Sequence, residues 1–349
     1  MTGSEVRIGI VGAGTWGETH ARIYQAHPAS KVVAVCDSNA GRASGLASRL
    51  GIDSWYDDYE EMFTKEGLDS VAIVTPDFAH AEIAIAAARH GLHMLIEKPL
   101  ATTRDDVFRM IDAITAGEVR AMVDLHNRFS PPFNVARQSV ADGELGELQT
   151  GYMRLNDAKW VATDLLPWAA QSSILWFLGS HSVDTLRWFF DDEVTRVYSV
   201  SRSGLLKGLG VDTVDSYLTT LEFAGGGIAH MENGWINPNA MPNINDIKFT
   251  VVGDKGMISI DASSHNLIQK YTEEKVTVPD VLVRDHVFGY PAGFAYQSIR
   301  SFVDSLVSGE DFRVSLPDSA KVSLIVLAIM ESAKKRQPVE VDYGVITTG

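Results

Sequence analysis

The chain has 349 residues, 45% of them hydrophobic and 21% charged, with a formal net charge of -15. That length favours two domains over one core. The acidity, with no long basic run, argues against a nucleic-acid partner, and no apolar run is long enough to span a bilayer. A single cysteine, Cys36, rules out an internal disulfide. With no secretory pattern ahead of the first strand, it suits a reducing, cytoplasmic setting.

In chain order, Val6–Val11 reads as a buried strand and Thr15 to Ala26 as a helix. Lys31–Cys36, Val71–Thr75 and His93–Ile96 are further near-continuous apolar runs, as expected of parallel strands covered on both faces. Helical patterns lie between them at Gly41 to Leu50, Tyr59 to Phe63 and Ala79 to His90. A helix near Thr103–Ala116 and a strand at Arg120–His126 finish the unit. Strand–helix alternation predicts a doubly wound Rossmann sheet over residues 1–126. After Pro131 and Pro132 a helix runs to about Ala141. Strands then dominate at Leu148–Asn156, Val194–Arg202, Ser216–Phe223, Ile228–Trp235 and Lys248–Val252, with Gly225–Gly227 as a hairpin turn. An apolar helix, Ile174 to Phe190, interrupts them, and two helices, Phe294–Ser308 and Ser319–Lys335, close the chain. Residues 127–349 therefore read as an α+β domain on a large, mostly antiparallel open sheet.

Gly12-Ala-Gly14-Thr15-Trp16-Gly17 follows the first strand and opens the first helix. Glycines at this spacing serve a tight turn, close approach to a pyrophosphate and helix–strand packing, while the helix amino end attracts phosphate. Asp37, about twenty residues on, sits where a carboxylate bonds the adenosine ribose and repels a 2′-phosphate. NAD is thus expected rather than NADP; Arg42, the one nearby cation, reads as a solvent-facing helix residue. Scattered histidines without a cysteine cluster give no metal site.

Glu97-Lys98-Pro99 after the fifth strand, and Thr75-Pro76-Asp77-Phe78-Ala79-His80 after the fourth, extend the pattern. With the glycine loop, Asn127-Arg128-Phe129 and Gly179-Ser180-His181, they resemble the Gfo/Idh/MocA oxidoreductases, whose members include glucose-fructose oxidoreductase and inositol dehydrogenase. The resemblance implies reversible hydride transfer between nicotinamide and a carbinol carbon of a sugar, inositol or related polyol, in a homodimer or homotetramer joined through the second-domain sheet. It implies cofactor contacts from Thr75, Pro76, His80, Glu97 and Lys98, and catalytic roles for Lys98 and His181. Many relatives carry an aspartate four residues before that histidine; here Phe177 stands in its place. Asp184, then Asp164, are the expected substitutes for orienting His181. Asn127, Arg128, Asn156, Lys159, Trp160 and Trp168 are candidate substrate contacts, polar groups interleaved with rings that suit a sugar. Two other functions fit the same motifs: an NAD-using glycosidase acting by transient oxidation and elimination, and a non-catalytic sugar-sensing regulator.

Overall fold

A strand buried on both faces must be covered by helices on both sides, and the apolar runs of the first third meet that requirement. In a computed structural model, which describes residues 5–263 and 267–346, they form β1 (Val6–Val11), β2 (Ser30–Cys36), β3 (Ser54–Tyr56), β4 (Ser70–Ile73), β5 (His93–Ile96) and β6 (Ala121–Val123). The connecting helices are α1 (Thr15–Ala26), α2 (Ala40–Leu50), α3 (Tyr59–Lys65), α4 (His80–Arg89) and α5 (Arg104–Ala116). The strands are parallel in the order β3-β2-β1-β4-β5-β6. That order reverses between β1 and β4, and sheets of this kind bind ligands at the carboxyl edge of such a switch point. Side chains cap α2 and α5, through Asn39 and Thr103. At α1 the cap position is Gly14, which supplies no side chain, so the first N–H groups of that helix stay available to a ligand.

Where the sequence suggested one boundary, at Asn127, contacts divide the chain into two units, each discontinuous in sequence. The first comprises the described parts of Met1–His126, Leu282–Ser323 and Val345–Gly349; the second comprises Asn127–Val281 and Leu324–Gly344. Within the first unit the helix Phe294–Ser308 lies against α1 and β1. Ser298 Oγ donates to Asp124 at 2.5 Å, and the His27 ring meets Asp304 at 2.9 Å.

The second unit contains α6 (Pro131–Ala141), β7 (Leu148–Ala158), α7 (Ser180–Phe190), β8 (Val194–Arg202), β9 (Ser216–Phe223), β10 (Ile228–Asn237), β11 (Asn245–Gly253) and β12 (Met257–Asp261). Seven of its strands form one sheet, ordered β12-β11-β7-β10-β9-β8, then Val339–Glu340. Every pairing is antiparallel except β7 with β10. Odd-numbered residues such as Met153, Leu155, Met231, Asn233 and Trp235 are buried on one face. At Gly151 a side chain would press on Leu186 and Phe190, so glycine there lets α7 settle onto β7. In β9, β10 and most of β8 the even-numbered residues form the other face, where Tyr198, Val200, Leu218 and Ile228 are exposed. Among the described residues, no helix is long and apolar enough to cross a membrane.

Candidate active site

In the first unit the three glycines divide their work. A Cβ on Gly12, which has φ +109°, would collide with the Val74 carbonyl, and one on Gly17 would collide with the Gly12 carbonyl. These two close the turn and seat the helix against it. A Cβ on Gly14 would meet nothing within 4 Å, so this position faces open space at the amino end of α1. Thr15 and Trp16 begin that helix, Thr15 exposed and Trp16 half-buried.

Asp37 ends the β2 edge and is nearly buried. Its Oδ2 accepts from the Ala13 N–H at 2.9 Å, and its Oδ1 from the Asn39 N–H at 2.9 Å. Arg42 is not merely solvent-facing: Nη2 donates to Asp37 Oδ1 at 2.7 Å. Burial pushes the Asp37 carboxyl up, but the Arg42 bond and the two backbone bonds outweigh it and hold it below the usual range. The carboxylate thus stays charged beside the glycine loop, where it can take ribose hydroxyls.

At the carboxyl end of β5, Glu97 Oε1 accepts from Trp16 Nε1 at 2.5 Å and lies 2.9 Å from His20 Nε2. Burial raises its pKa; the His20 bond and the charges of His20, Lys98 and His126 overcome that and bring it to about 2. Lys98 is half-buried and near enough for Glu97 to feel its charge. The Lys98–Pro99 peptide is cis. His80, expected at the cofactor, is fully buried: Nδ1 meets the Pro99 carbonyl at 2.8 Å and Nε2 the Thr75 carbonyl at 3.1 Å. It therefore braces the turn after β4 against the Glu97-Lys98-Pro99 turn, with both ring nitrogens occupied by backbone. Thr75 and Pro76 form the β4 side of that edge.

His20 escaped sequence reasoning altogether. The available signal was its spacing from Trp16, four residues along one face of the helix that the glycine motif opens. His20, Glu97 and Asp124 each present a ligand atom within 4.8 Å of the others. Those atoms are already engaged: Glu97 by two ring N–H groups and Asp124 by Ser298. The cluster is built as a hydrogen-bond network, and an ion would have to displace those donors.

In the second unit His181 is buried in the first turn of α7. The helix expected over Ile174 to Phe190 is not uniform: Leu175–Gly179 is a π-turn that runs into α7. A wider turn rotates residues before it relative to those after it, so Phe177 and His181 do not keep the simple i, i+4 relation. The Phe177 ring instead packs edge-on to Trp168, with centroids 6.4 Å apart, and stacks on Trp235, also at 6.4 Å.

The expected substitute carboxylate is engaged elsewhere. Asp184 accepts from Arg128 Nη2 at 2.6 Å and from Arg128 Nε at 3.0 Å, a buried two-pronged pair. Arg128 also lies over the Trp188 ring. Together they anchor the start of the unit to α7. Asn127 Nδ2 donates to Thr185 Oγ1 at 3.3 Å, and Thr185 in turn donates to the His181 carbonyl at 2.7 Å. Asp164 is exposed and bonded by Thr163.

Asn156 lies on β7. It projects from the sheet face opposite α7, with Nδ2 on Glu232 at 2.6 Å, and lines a cavity of about 350 Å³ with Ser216, Leu218 and Glu232. Lys159 and Trp160 follow the end of β7 and are half-buried; the Trp160 N–H donates to Asn239 Oδ1 at 3.0 Å.

Two family models match in succession. Residues 6–125 match the oxidoreductase family with an NAD-binding Rossmann fold, and residues 133–259 match the GFO/IDH/MocA C-terminal domain. The chain is a Gfo/Idh/MocA oxidoreductase. This oxidoreductase is 26% identical to the scyllo-inositol 2-dehydrogenase (NAD(+)) of Bacillus subtilis, over 99% of both chains. It is 27% identical to the levoglucosan dehydrogenase of Pseudarthrobacter phenanthrenivorans, over 96% of this chain and 98% of that one. In fold it resembles the scyllo-inositol dehydrogenase of Lactobacillus casei with bound NAD(H) and scyllo-inositol. The TM-score is 0.83 at 20% identity, over 97% of this chain and 99% of that one. NAD is the cofactor of this oxidoreductase family, and the Gly12–Gly17 loop with Asp37 fits a dinucleotide: the unfilled space at Gly14 suits a pyrophosphate, and Asp37 remains charged for the ribose.

Proposed function

We propose that this oxidoreductase is an NAD-dependent dehydrogenase of an inositol, a sugar or a closely related polyol. The observation that carries the reading is Glu97, buried and held ionised beside Lys98 at the carboxyl edge of β5. A carboxylate so placed keeps a lysine at the edge where open α/β sheets bind ligands. The names of the Bacillus and Pseudarthrobacter relatives supply the substrate class.

In this reading residues 1–126 form the NAD-binding domain and residues 127–349 supply substrate contacts, apart from the segment Leu282–Ser323, which joins the first unit. Gly12, Gly14, Thr15, Trp16 and Gly17 receive the pyrophosphate, Asp37 the ribose, and Thr75, Pro76, Glu97 and Lys98 border the nicotinamide end. NAD held by these residues would supply the hydride acceptor for the carbinol carbon. Lys98 hydrogen-bonds the reacting hydroxyl, and His181 takes its proton as general base. Lys159, Trp160, Trp168 and Asn127 are assigned to substrate recognition, with no metal in the mechanism. The apolar outer face of the seven-stranded sheet, with Tyr198, Val200, Leu218 and Ile228, is assigned to a second copy of the chain in the cytoplasm.

The test is an absorbance assay of NADH formation over a panel of inositols, hexoses and anhydrosugars. Turnover of at least one, lost in His181→Ala, is expected. A panel with no NADH formation at any pH between 6 and 10 refutes the reading.

A further inference from the structure

The first unit contains a buried residue that neither the glycine motif nor the Glu97-Lys98-Pro99 turn accounts for. His20 is fully buried on α1, one turn beyond Trp16. Its Nε2 faces Glu97 Oε1 at 2.9 Å, and the Trp16 indole N–H reaches the same oxygen at 2.5 Å. Two donors from one helix therefore grip one carboxylate oxygen. The imidazole is held edge-on between Trp16, at 6.4 Å between centroids, and Tyr24, at 5.9 Å. Among the described residues His20 Nδ1 makes no hydrogen bond. The bond to Glu97 is thus the one polar return for burying this ring, and burying a polar group without a return is costly.

The grip answers a specific electrostatic problem. Asp124 lies close enough for its carboxylate, that of Glu97 and the His20 ring to present atoms within 4.8 Å of one another. Two carboxylates in one buried space cannot both ionise cheaply. Asp124 is served by Ser298 at 2.5 Å and by the His126 ring at 3.4 Å. Tyr24, raised well above its usual pKa by burial and by these two carboxylates, stays neutral. Arg284 reaches the group only through the Trp16 ring, 5.2 Å away. What remains to keep Glu97 charged is its pair of ring donors, with Lys98 and His126 behind them.

Resting on the reading of Lys98 as a proton-transfer group, we propose that His20 is a positioning residue. With Trp16 it clamps the Glu97 carboxylate, and the clamped carboxylate keeps a fixed negative charge next in sequence to the Lys98 ammonium. Because both donors belong to the helix that starts at the dinucleotide loop, the carboxylate that precedes the lysine is mounted on that helix as well as on its own strand.

The test compares His20→Gln with His20→Asn in the full-length protein, with Lys98→Met as control. A glutamine amide reaches the place of Nε2 and can still donate to Glu97; an asparagine amide stops at the place of Nδ1. Kd for NAD, Tm, and kcat across pH are measured on the best substrate of the panel. Without that donor the Glu97 pKa rises, and the weakened negative charge beside Lys98 lowers the lysine pKa. His20→Asn should therefore lose at least about tenfold in kcat, with the pH limb governed by Lys98 moved to lower pH by about one unit and NAD binding within about threefold of wild type. His20→Gln should keep most of the wild-type kcat and its limb. Equal kcat and unmoved limbs in the two variants overturn the proposal, whether both are active or both impaired, because packing alone would treat them alike. Normal turnover in Lys98→Met removes Lys98 from the mechanism and overturns the proposal alone, as does an inactive Lys98→Met with indistinguishable Gln and Asn variants; a wild-type protein that forms no NADH with any member of the panel overturns the dehydrogenase reading and the proposal together.

Discussion

Replacing Asp37 by Ala removes three interactions at once: the bonds to the Ala13 and Asn39 N–H groups and the ion pair with Arg42. A charge-assisted hydrogen bond from this carboxylate to a ribose hydroxyl is worth about 1.5–3 kcal/mol, or roughly ten- to hundredfold in Kd for NAD. NADP should respond in the opposite sense. The carboxylate that repels a 2′-phosphate is gone, and the Arg42 guanidinium, already 2.7 Å from Asp37, becomes free to pair with it. Asp37→Asn separates the charge from the loop geometry, since its amide oxygen still accepts from the buried Ala13 N–H. Titration of both cofactors by intrinsic fluorescence reads the result. Asp37→Ala and Asp37→Asn should both shift the NAD/NADP Kd ratio toward NADP by at least about tenfold. A ratio unchanged in both variants, or a wild-type protein that binds the two cofactors equally, refutes the assignment of Asp37 to the ribose.

Lys98→Met keeps the length and apolar stem but not the ammonium; NAD should still bind while kcat falls at least about a hundredfold, and near-normal turnover removes Lys98 from the mechanism. Arg128→Leu leaves Asp184 buried and unpaired, so chemical denaturation should show a loss of about 3–5 kcal/mol; a loss below about 1 kcal/mol would mean that the carboxylate is served by other groups. Glu97 is depressed in the folded state from 4.5 to about 2. Its ionised form therefore contributes stability that is complete above pH 4.5 and fades as pH falls toward 2. Glu97→Gln should flatten acid unfolding in that window, and an acid limb identical to wild type would contradict the pairing.

Local chemistry made much of the first unit readable. The glycine spacing, the acidic residue at the end of β2 and the near-continuous strands are each set by neighbours a few residues away, and a period-reading of the sequence captures them. The short strand β3 was missed because at the sheet edge it buries little: Trp55 is exposed. The closing strand β12, with Met257 exposed, escaped for the same reason. Other features were long-range. Arg128 and Asp184 are 56 positions apart, and nothing local in either segment announces the pair. Which sheet face Asn156 takes was not legible from its strand alone, because one register step decides it and only the pairing with β10 and β11 fixes it. The π-turn at Leu175–Gly179 likewise breaks an inference that assumed a regular 3.6-residue repeat. The backbone partners of His80 were not legible either, because a motif position says where a ring is and not which carbonyls it meets.

The return of Leu282–Ser323 to the first unit bears on how the chain is made. Synthesis proceeds from the amino end at a finite rate, and domains generally fold as units once their residues have emerged. Here the dinucleotide-binding unit lacks a wall until the helix Phe294–Ser308 has been translated: Asp124 waits 174 positions for the Ser298 hydroxyl, and His27 waits 277 positions for Asp304. Until then a buried carboxylate and the apolar flank of α1 face solvent. The nascent Rossmann layer would therefore remain a client for chaperones through most of translation, and a fragment ending at His126 should fail to become a stable mini-domain, although it contains every strand of the parallel sheet.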